Sequence, residues 1–178
     1  MIIFAGDFNL SAHIFPDEMT KVLIVVRHAQ SAGKQSGQRD YDRVLTPVGK
    51  KNSHELGEKI KKSSFQVDFI LASAAVRAAQ TVEHINKVLA LPDEKIQFNT
   101  PLYEALIPGW IEIILELPDR FNTLMLVGHN PGISMLASAL TGQNIDLAPC
   151  QMTGVELDLS SWKELTEGNQ HTQQYFSL

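Results

Sequence analysis

Two arginines and two histidines of this sequence follow short apolar runs, in the order Arg27, His28, Arg77 and His129. A guanidinium offers a planar fork of donors that suits the oxygens of phosphate. An imidazole acts as a nucleophile or as an acid–base group near neutral pH. In open α/β sheets, ligands bind at the carboxyl ends of the strands. These residue types therefore predict an anion site that contains a reactive imidazole.

The apolar runs that position these residues are predicted to be buried strands. Val22–Val26 is a continuous apolar run rich in β-branched residues, which is typical of a central strand in a parallel sheet. Similar runs occur at Val67–Ala72 and Thr123–Val127. Lys95–Phe98 and Met152–Leu159 alternate in the manner of half-buried strands, and the second of these is predicted to be the last strand. Helical patterns lie between the runs, so the sequence predicts an α/β fold.

Helix starts are predicted from capping residues. Thr46 is followed by Pro47, a pair that suits the N-cap and the first helical position. Ser73 is predicted to cap a second helix, and Asn130 with Pro131 is predicted to begin a later one. A further helix is predicted from residue 110 to residue 117, ended by a proline.

Two of the four basic residues lie beside predicted helix starts. Arg77 falls near the first turn after Ser73, where a cation opposes the helix dipole. An anion bound near that helix start would offset this cost. His129 precedes Asn130, and the dipole there disfavours its cationic form unless an anion is bound. The placement of both residues favours an anion site over ordinary surface positions.

Two further residues are candidates on weaker grounds. Ala32–Thr46 has no periodicity and is predicted to be a loop, where substrate contacts are common. Ser31, just before it, is a candidate phosphate ligand, although a solvated loop residue fits the same pattern. Glu104 lies between apolar residues at a predicted strand or loop end, where an acid can protonate a leaving group. A surface glutamate is an equally good interpretation of the sequence at this position.

Composition bounds the class of protein. The chain has 178 residues, 44% apolar and 20% charged, which predicts one domain with a substantial core. Its single cysteine, Cys150, excludes an internal disulfide framework and favours a cytoplasmic location. The net charge of −5 argues against a nucleic-acid or membrane surface. No apolar run reaches the roughly 18 residues that a membrane span needs.

The N-terminal segment is a poor signal peptide, because it lacks basic residues before its apolar part and contains Asp7, Asn9 and Pro16. We therefore predict an extension of uncertain role over residues 1–20 and a single domain over residues 21–178. Met19 stands just before the first strand, so a natural start at that residue is a hypothesis. Mass analysis of the natively expressed N-terminus tests it.

Four motifs occur in a fixed order: Val-Arg-His-Ala at 26–29, Ser-x-x-x-Arg-Ala-x-Gln-Thr at 73–81, Leu-x-Glu at 102–104 and Gly-His-Asn-Pro-Gly at 128–132. On these motifs the chain resembles the histidine phosphatase superfamily. The resemblance extends from about Lys21 to Trp162. It implies the phosphoglycerate-mutase-like fold, a three-layer α/β/α arrangement around a mostly parallel central sheet.

The chain also resembles one branch of that superfamily, the short SixA-type phosphohistidine phosphatases. The shared features are Arg-His-Ala-x-Ser at 27–31, Tyr-Asp-Arg-x-Leu-Thr at 41–46 and the compact length. The implied activity is hydrolysis of a phosphomonoester or phosphoramidate through a covalent phosphohistidine.

The resemblance implies roles for the residues at the matched positions. His28 is the implied nucleophile, and Glu104 is the implied general acid and then the base for the attacking water. The phosphoryl oxygens are held by Arg27, Arg77 and His129. No metal and no cofactor are implied, since two guanidiniums stabilise the charge that spreads over a phosphoryl group in transfer.

The substrate is less defined than the chemistry. The compact chain lacks room for large insertions around a small substrate, so a phosphorylated protein is favoured over a small phosphate ester, with inorganic phosphate as product. A mutase is the least favoured enzyme. A binding module that holds phosphate or a phosphoprotein without turnover is the alternative from another class. No nucleic-acid or membrane partner is predicted, and the oligomeric state is left open.

Overall fold

The computed structural model describes residues 20–63, 65–168 and 171–177. The predicted extension, including the hypothetical start at Met19, lies outside these ranges except for Thr20, the first residue of strand β1. The strands of the described ranges are β1 Thr20–Arg27, β2 Phe69–Ser73, β3 Ile96–Asn99, β4 Thr123–Gly128, β5 Met152–Asp158 and β6 Thr172–Ser177. The α-helices there are α1 Pro47–Lys62, α2 Val76–Leu89, α3 Ile107–Leu115 and α4 Gly132–Thr141.

The strands form one sheet in the order β3-β2-β4-β1-β5-β6. The first four in this order are mutually parallel, and β5 and β6 are antiparallel to their neighbours. The predicted fold class, a mostly parallel sheet of the phosphoglycerate-mutase-like type, is confirmed. The prediction that β5 is the last strand was wrong. β6 is an edge strand that exists by backbone pairing with β5, so the sequence carried no periodic signal for it.

Helices cover both faces of the sheet. Along β1, Val22, Ile24 and Val26 pack in one core cluster with residues of α1 and α2. Leu23 and Val25 pack in the other cluster with residues of α3 and α4. Since successive side chains of a strand point to opposite faces, burial on both faces explains the continuous apolar run. Each fully buried aliphatic side chain of this kind contributes about 1.5–3 kcal/mol.

One predicted cap is confirmed and two were wrong. Thr46 caps α1, its hydroxyl accepting the N–H of Gly49 at 3.0 Å. Ser73 is instead the last residue of β2, and α2 begins at Val76. Asn130 precedes a helix that begins at Gly132, and its side chain carbonyl accepts from Ser134. In both corrected cases the helix begins later than predicted, and neither side chain makes a capping hydrogen bond to it.

Helix α3 also differs from its prediction. It begins at Ile107, three residues before the predicted start, and ends at Leu115. Pro108 occupies its first turn, where a proline is tolerated because the N–H it lacks has no intrahelical partner. Trp110 is 1% exposed within the core.

Two helix starts approach neighbouring loops so closely that only glycine fits. A Cβ at Gly49 would overlap the carbonyl oxygen of Gln30, two residues after His28. A Cβ at Gly132 would overlap the carbonyl oxygen of Ala105. These contacts hold α1 and α4 against the loops that follow β1 and β3.

Candidate active site

The two histidines follow neighbouring strands. β1 and β4 pair in parallel with Arg27 opposite Gly128, the last residue of each strand, so a histidine directly follows each strand. The imidazole centroids of His28 and His129 lie 4.9 Å apart. Residues more than 100 positions apart in sequence therefore share one small region at the carboxyl edge of the sheet.

The ring of His28 is fixed by two hydrogen bonds. Its Nδ1 lies 2.8 Å from the carbonyl oxygen of Ala29, and its Nε2 lies 3.1 Å from Nε of Arg77. Because a carbonyl only accepts and a guanidinium only donates, we assign the ring proton to Nδ1 and the lone pair to Nε2. His28 is thus a neutral imidazole with its nucleophilic nitrogen facing a cation.

The protonation state of His28 follows from its surroundings. Burial lowers its pKa from 6.5 to about 4, with the charges of Arg77, Arg27 and Arg43 acting in the same direction and the bond to Ala29 opposing them. The arginine charges act as neighbouring cations are expected to act on an imidazole, and desolvation is the larger cause. At neutral pH the imidazole is therefore uncharged, and its Nε2 can act as a nucleophile.

Arg77 is the second residue of α2 and is 5% exposed. Its Nη1 donates to the carbonyl oxygen of Asp40 at 2.8 Å, and its Nη2 lies 3.0 Å from the carboxylate of the same residue. The guanidinium also lies over the ring of Tyr103, 5.5 Å from its centroid. Arg77 is therefore held on one edge and faces His28 with the other.

Asp40 and Tyr103 belong to this site and were missed by sequence reasoning. The carboxylate of Asp40 accepts from Arg43 at 2.9 Å and from the hydroxyl of Tyr103 at 2.7 Å. These two bonds and the charge of Arg77 hold the pKa of Asp40 well below its usual range. The sequence signal available for Asp40 was an acidic residue shortly before Arg43 of the motif, but this signal did not show which side chain Asp40 contacts.

His129 is 8% exposed, and its Nε2 lies 2.8 Å from the hydroxyl of Ser73. Ser73 accepts the N–H of Ala75 at 3.2 Å, and its hydroxyl proton can donate to Nε2 at the same time; on that arrangement we assign the ring proton of His129 to Nδ1. That Nδ1 has no partner among the described residues. A buried donor without a partner is available to a ligand oxygen.

The pKa of His129 is also lowered. Burial is the main cause, followed by the charge that His28 carries once it is protonated and by the charges of Arg77 and Arg27; together they lower the pKa from 6.5 to about 3, against the opposing charge of Asp40. The direction agrees with the prediction that a bare cation is disfavoured here. His129 is therefore a neutral donor near pH 7.

Arg27 presents a second unsatisfied donor. Its Nη1 donates to the carbonyl oxygen of Leu147 at 2.7 Å, whereas its buried Nε has no partner within the described ranges. Its charge lowers the pKa of both histidines, which places it in the same electrostatic environment. The site thus combines arginine charge with buried donors that lack acceptors, an arrangement suited to an anion.

The two weaker candidates lie at the margin. The hydroxyl of Ser31 accepts from Nη2 of Arg43 at 2.8 Å, which connects it to Asp40 through that arginine. Glu104 is exposed and follows Tyr103, whose ring lies 5.3 Å from that of His129. A role for either residue stays a prediction.

Within the described ranges, no group of three or more histidine, cysteine or acidic side chains is arranged to hold a metal ion. None of the helices in the same ranges has the length and apolar character that crossing a bilayer requires.

The fold and the geometry together describe an α/β protein with a candidate arginine–histidine anion site at the carboxyl ends of parallel strands. The sequence model of a protein family described as "Histidine phosphatase superfamily (branch 1)" matches residues 23–110 of the chain. The chain belongs to that superfamily. The match includes Arg27, His28, Arg77 and Glu104 and ends before His129, whose place beside His28 is shown by the structure.

Three comparisons illustrate the similarity. An uncharacterized protein of Mycobacterium tuberculosis is 36% identical over 115 residues, 65% of this chain and 69% of that protein. The mitochondrial serine/threonine-protein phosphatase PGAM5 of Xenopus tropicalis is 35% identical over 92 residues, 51% of this chain and 32% of that protein. The structure of the protein histidine phosphatase SixA complexed with tungstate has a TM-score of 0.72 at 20% identity, covering 88% of this chain and 96% of SixA. At that identity the structural similarity shows the fold.

Proposed function

We propose that this protein is a phosphatase that hydrolyses a phosphoramidate or phosphomonoester, with protein phosphohistidine as the favoured substrate, through a covalent intermediate on His28. The observation that carries the proposal is the neutral His28 ring, with its Nδ1–H on a carbonyl and its Nε2 lone pair 3.1 Å from Arg77. A nucleophile held in one tautomer beside a guanidinium is suited to attack a phosphoryl group.

In the first step, Nε2 of His28 attacks phosphorus and the bond to the leaving group breaks. The phosphoryl oxygens carry the developing charge, and the donors for them are Arg27, Arg77 and the Nδ1–H of His129. When the leaving group is an alkoxide it takes a proton, and we assign Glu104 as the donor of that proton. An imidazole leaving group departs more readily and needs this acid less.

In the second step, water attacks the phosphorus and the bond to Nε2 breaks, which releases inorganic phosphate. Glu104 takes the proton of the attacking water, and His28 returns to its neutral form. The covalent intermediate divides one difficult displacement into two easier ones. The arginine charges do the stabilising work, so we propose that the reaction requires no metal and no cofactor.

The favoured substrate rests on two lines of support. The chain has the short length of the branch it resembles, and it has the fold of a protein named a histidine phosphatase. A small phosphate ester is the second candidate, since the roles proposed above for the described residues concern the phosphoryl group rather than the identity of the leaving group. A cytoplasmic location, a single domain over residues 21–178 and a phosphate-binding role for Ser31 remain predictions within this proposal.

The proposal is tested by turnover of p-nitrophenyl phosphate, a phosphohistidine protein and small phosphate esters, with and without a metal chelator. We expect chelator-resistant turnover that His28→Ala abolishes, and an acid-labile phosphoryl enzyme in rapidly quenched wild type. His54→Ala is the control, because His54 is an exposed residue of α1. Phosphate binding without turnover of any substrate would identify a binding module instead.

A further inference from the structure

The carboxylate of Asp40 lies among the arginines of the site, and the reaction proposed above gives it no role. We infer that Asp40 is a positioning residue, which holds the guanidinium of Arg77 so that its Nε faces the nucleophilic nitrogen of His28. The inference rests on the proposed function, because it assigns Asp40 a part in the same phosphoryl transfer.

The guanidinium of Arg77 has two edges that make different contacts. Nη1 and Nη2 form the end-on fork, and both engage Asp40, one through its carbonyl oxygen at 2.8 Å and one through its carboxylate at 3.0 Å. Nε lies on the adjoining edge and donates to His28 Nε2 at 3.1 Å. Because a guanidinium is planar and rigid, fixing the fork fixes the direction of Nε.

The carboxylate of Asp40 is itself held in place by hydrogen bonds. One carboxylate oxygen accepts from Nη1 of Arg43 at 2.9 Å, and the other accepts from the hydroxyl of Tyr103 at 2.7 Å. Arg43 is anchored in turn by donating Nε to the carbonyl oxygen of Ala32 at 2.8 Å. The carboxylate therefore has partners from the loop after β1, from α2 and from the turn after β3, and it cannot rotate without breaking one of them.

The side chains of Arg77 and Asp40 differ in burial. The Arg77 side chain is 7% exposed, while that of Asp40 is 39% exposed. A buried guanidinium requires a counter-ion, and Asp40 supplies it from the solvent side without entering the core. The edge of Arg77 that carries Nε then faces His28, on the side where the proposed anion is attacked.

Asp40 has a matched control in the same turn. Asp42 lies two residues further on and pairs with Arg39, at 2.7 Å and 3.0 Å, on the surface. Asp40→Asn and Asp42→Asn each remove one negative charge from this turn. A general charge effect acts in both variants, whereas loss of the Arg77 contact occurs in one.

The experiment measures kcat and KM, the affinity for tungstate, and the ¹⁵N chemical shift of His28 Nε2. We expect Asp40→Asn to lower kcat about 100-fold, since a displacement of about 1 Å in a positioning group has this effect. Tungstate affinity should stay within about threefold or become tighter, because the variant gains positive charge. The ¹⁵N signal should move toward that of an imidazole nitrogen without a donor. Asp40→Glu should recover part of the kcat, and Asp42→Asn should match wild type throughout.

Three results would overturn the inference. They are a kcat within threefold of wild type in Asp40→Asn, an equal loss in Asp42→Asn, or an unchanged ¹⁵N shift. If Asp40→Asn does not fold, Tyr103→Phe removes one carboxylate donor and should give a smaller loss of kcat with the same direction of ¹⁵N shift. Failure of the wild type to turn over any substrate contradicts the proposed phosphatase, and the ¹⁵N shift then still decides whether Asp40 positions Arg77 on His28.

Discussion

Nε of Arg77 lies 3.1 Å from Nε2 of His28 and donates to the lone pair that the proposed reaction uses. In the absence of substrate, this bond holds the imidazole in a single orientation. When a phosphoryl group approaches Nε2, the same N–H is already within reach of its oxygens. One donor thus orients the nucleophile first and stabilises charge afterwards.

Replacing Arg77 by lysine tests this relationship. Arg77→Lys keeps the charge but loses the planar fork, so the bonds to Asp40 and to His28 cannot be made together. We expect kcat to fall by about 10²–10³, the cost of removing one preorganised donor to a developing oxyanion. Arg120→Lys is the control at an exposed site, where the guanidinium lies over Phe121. Steady-state kinetics of both variants measure the effect, and a loss below threefold in Arg77→Lys would contradict it.

Ser73 fixes the proposed donor nitrogen of His129 through the bond to Nε2 at 2.8 Å. Ser73→Ala leaves a buried nitrogen without a partner, which costs about 1–3 kcal/mol of the free energy of unfolding. It also releases the tautomer, so we expect kcat/KM to fall about tenfold, within the range of lost positioning contacts.

Ser53→Ala is the matched control for this change. Ser53 is a buried serine whose hydroxyl donates to the carbonyl oxygen of Gly49 within α1. Urea unfolding and kinetics of the two variants separate stability from activity. Equal kcat/KM values for both would show that the serine bond to His129 has no part in turnover.

The lowered histidine pKa values predict that stability falls in mild acid. The pKa values are about 4 for His28 and about 3 for His129 in the folded protein, against 6.5 in the unfolded chain. Below pH 6.5 the unfolded chain takes up protons that the folded protein does not, so stability is fully present above 6.5 and is lost as pH falls. Between pH 6.5 and 5 each group contributes a slope of up to about 1.4 kcal/mol per pH unit.

Urea unfolding at pH 7, 6 and 5 measures this slope. His28→Gln should reduce this slope by the amount that corresponds to the uptake of nearly one proton, since glutamine does not titrate. Identical slopes in His28→Gln and wild type would mean that His28 titrates alike in the folded and unfolded states.

Glu104 is tested by its dependence on the leaving group. As a general acid it matters most for a poor leaving group, so Glu104→Gln should lower kcat on phosphoserine by about 100-fold. On p-nitrophenyl phosphate and on phosphohistidine we expect less than a threefold change, because these groups depart without a proton donor. Glu112→Gln, on an exposed position of α3, is the control. A uniform effect across all substrates would remove Glu104 from the role of acid.

Gly132 tests the close approach between α4 and the segment after β3. A Cβ there would overlap the carbonyl oxygen of Ala105, and a backbone atom cannot move aside as a side chain end can. We expect Gly132→Ala to lower the free energy of unfolding by about 1–3 kcal/mol, the usual cost of overpacking. Gly33→Ala is the control, because a Cβ at Gly33 meets nothing within 4 Å. Thermal or urea unfolding that does not distinguish the two variants would contradict the tight contact.

The sequence predicted the elements that depend on local pattern. Val22–Val26 and Thr123–Val127 lie inside observed strands, because burial on both faces requires continuous apolar residues. Thr46 with Pro47 predicted a helix start because capping depends on neighbours within one turn. Where the capping side chain bonded instead to a distant element, as Ser73 does to His129, the local rule gave the wrong answer.

The sequence by itself determined that Arg27, His28, Arg77 and His129 lie at the ends of strands or within a few residues after them, since strand ends are set by the apolar pattern. Only the tertiary structure decided how these residues meet. The bond from Arg77 to Asp40 joins positions 37 apart, and the bond from Arg77 to His28 joins positions 49 apart. Such contacts depend on strand order and loop path rather than on local propensity. The orientation of the nucleophile is therefore a property of the folded sheet edge, and the residue types are a property of the sequence.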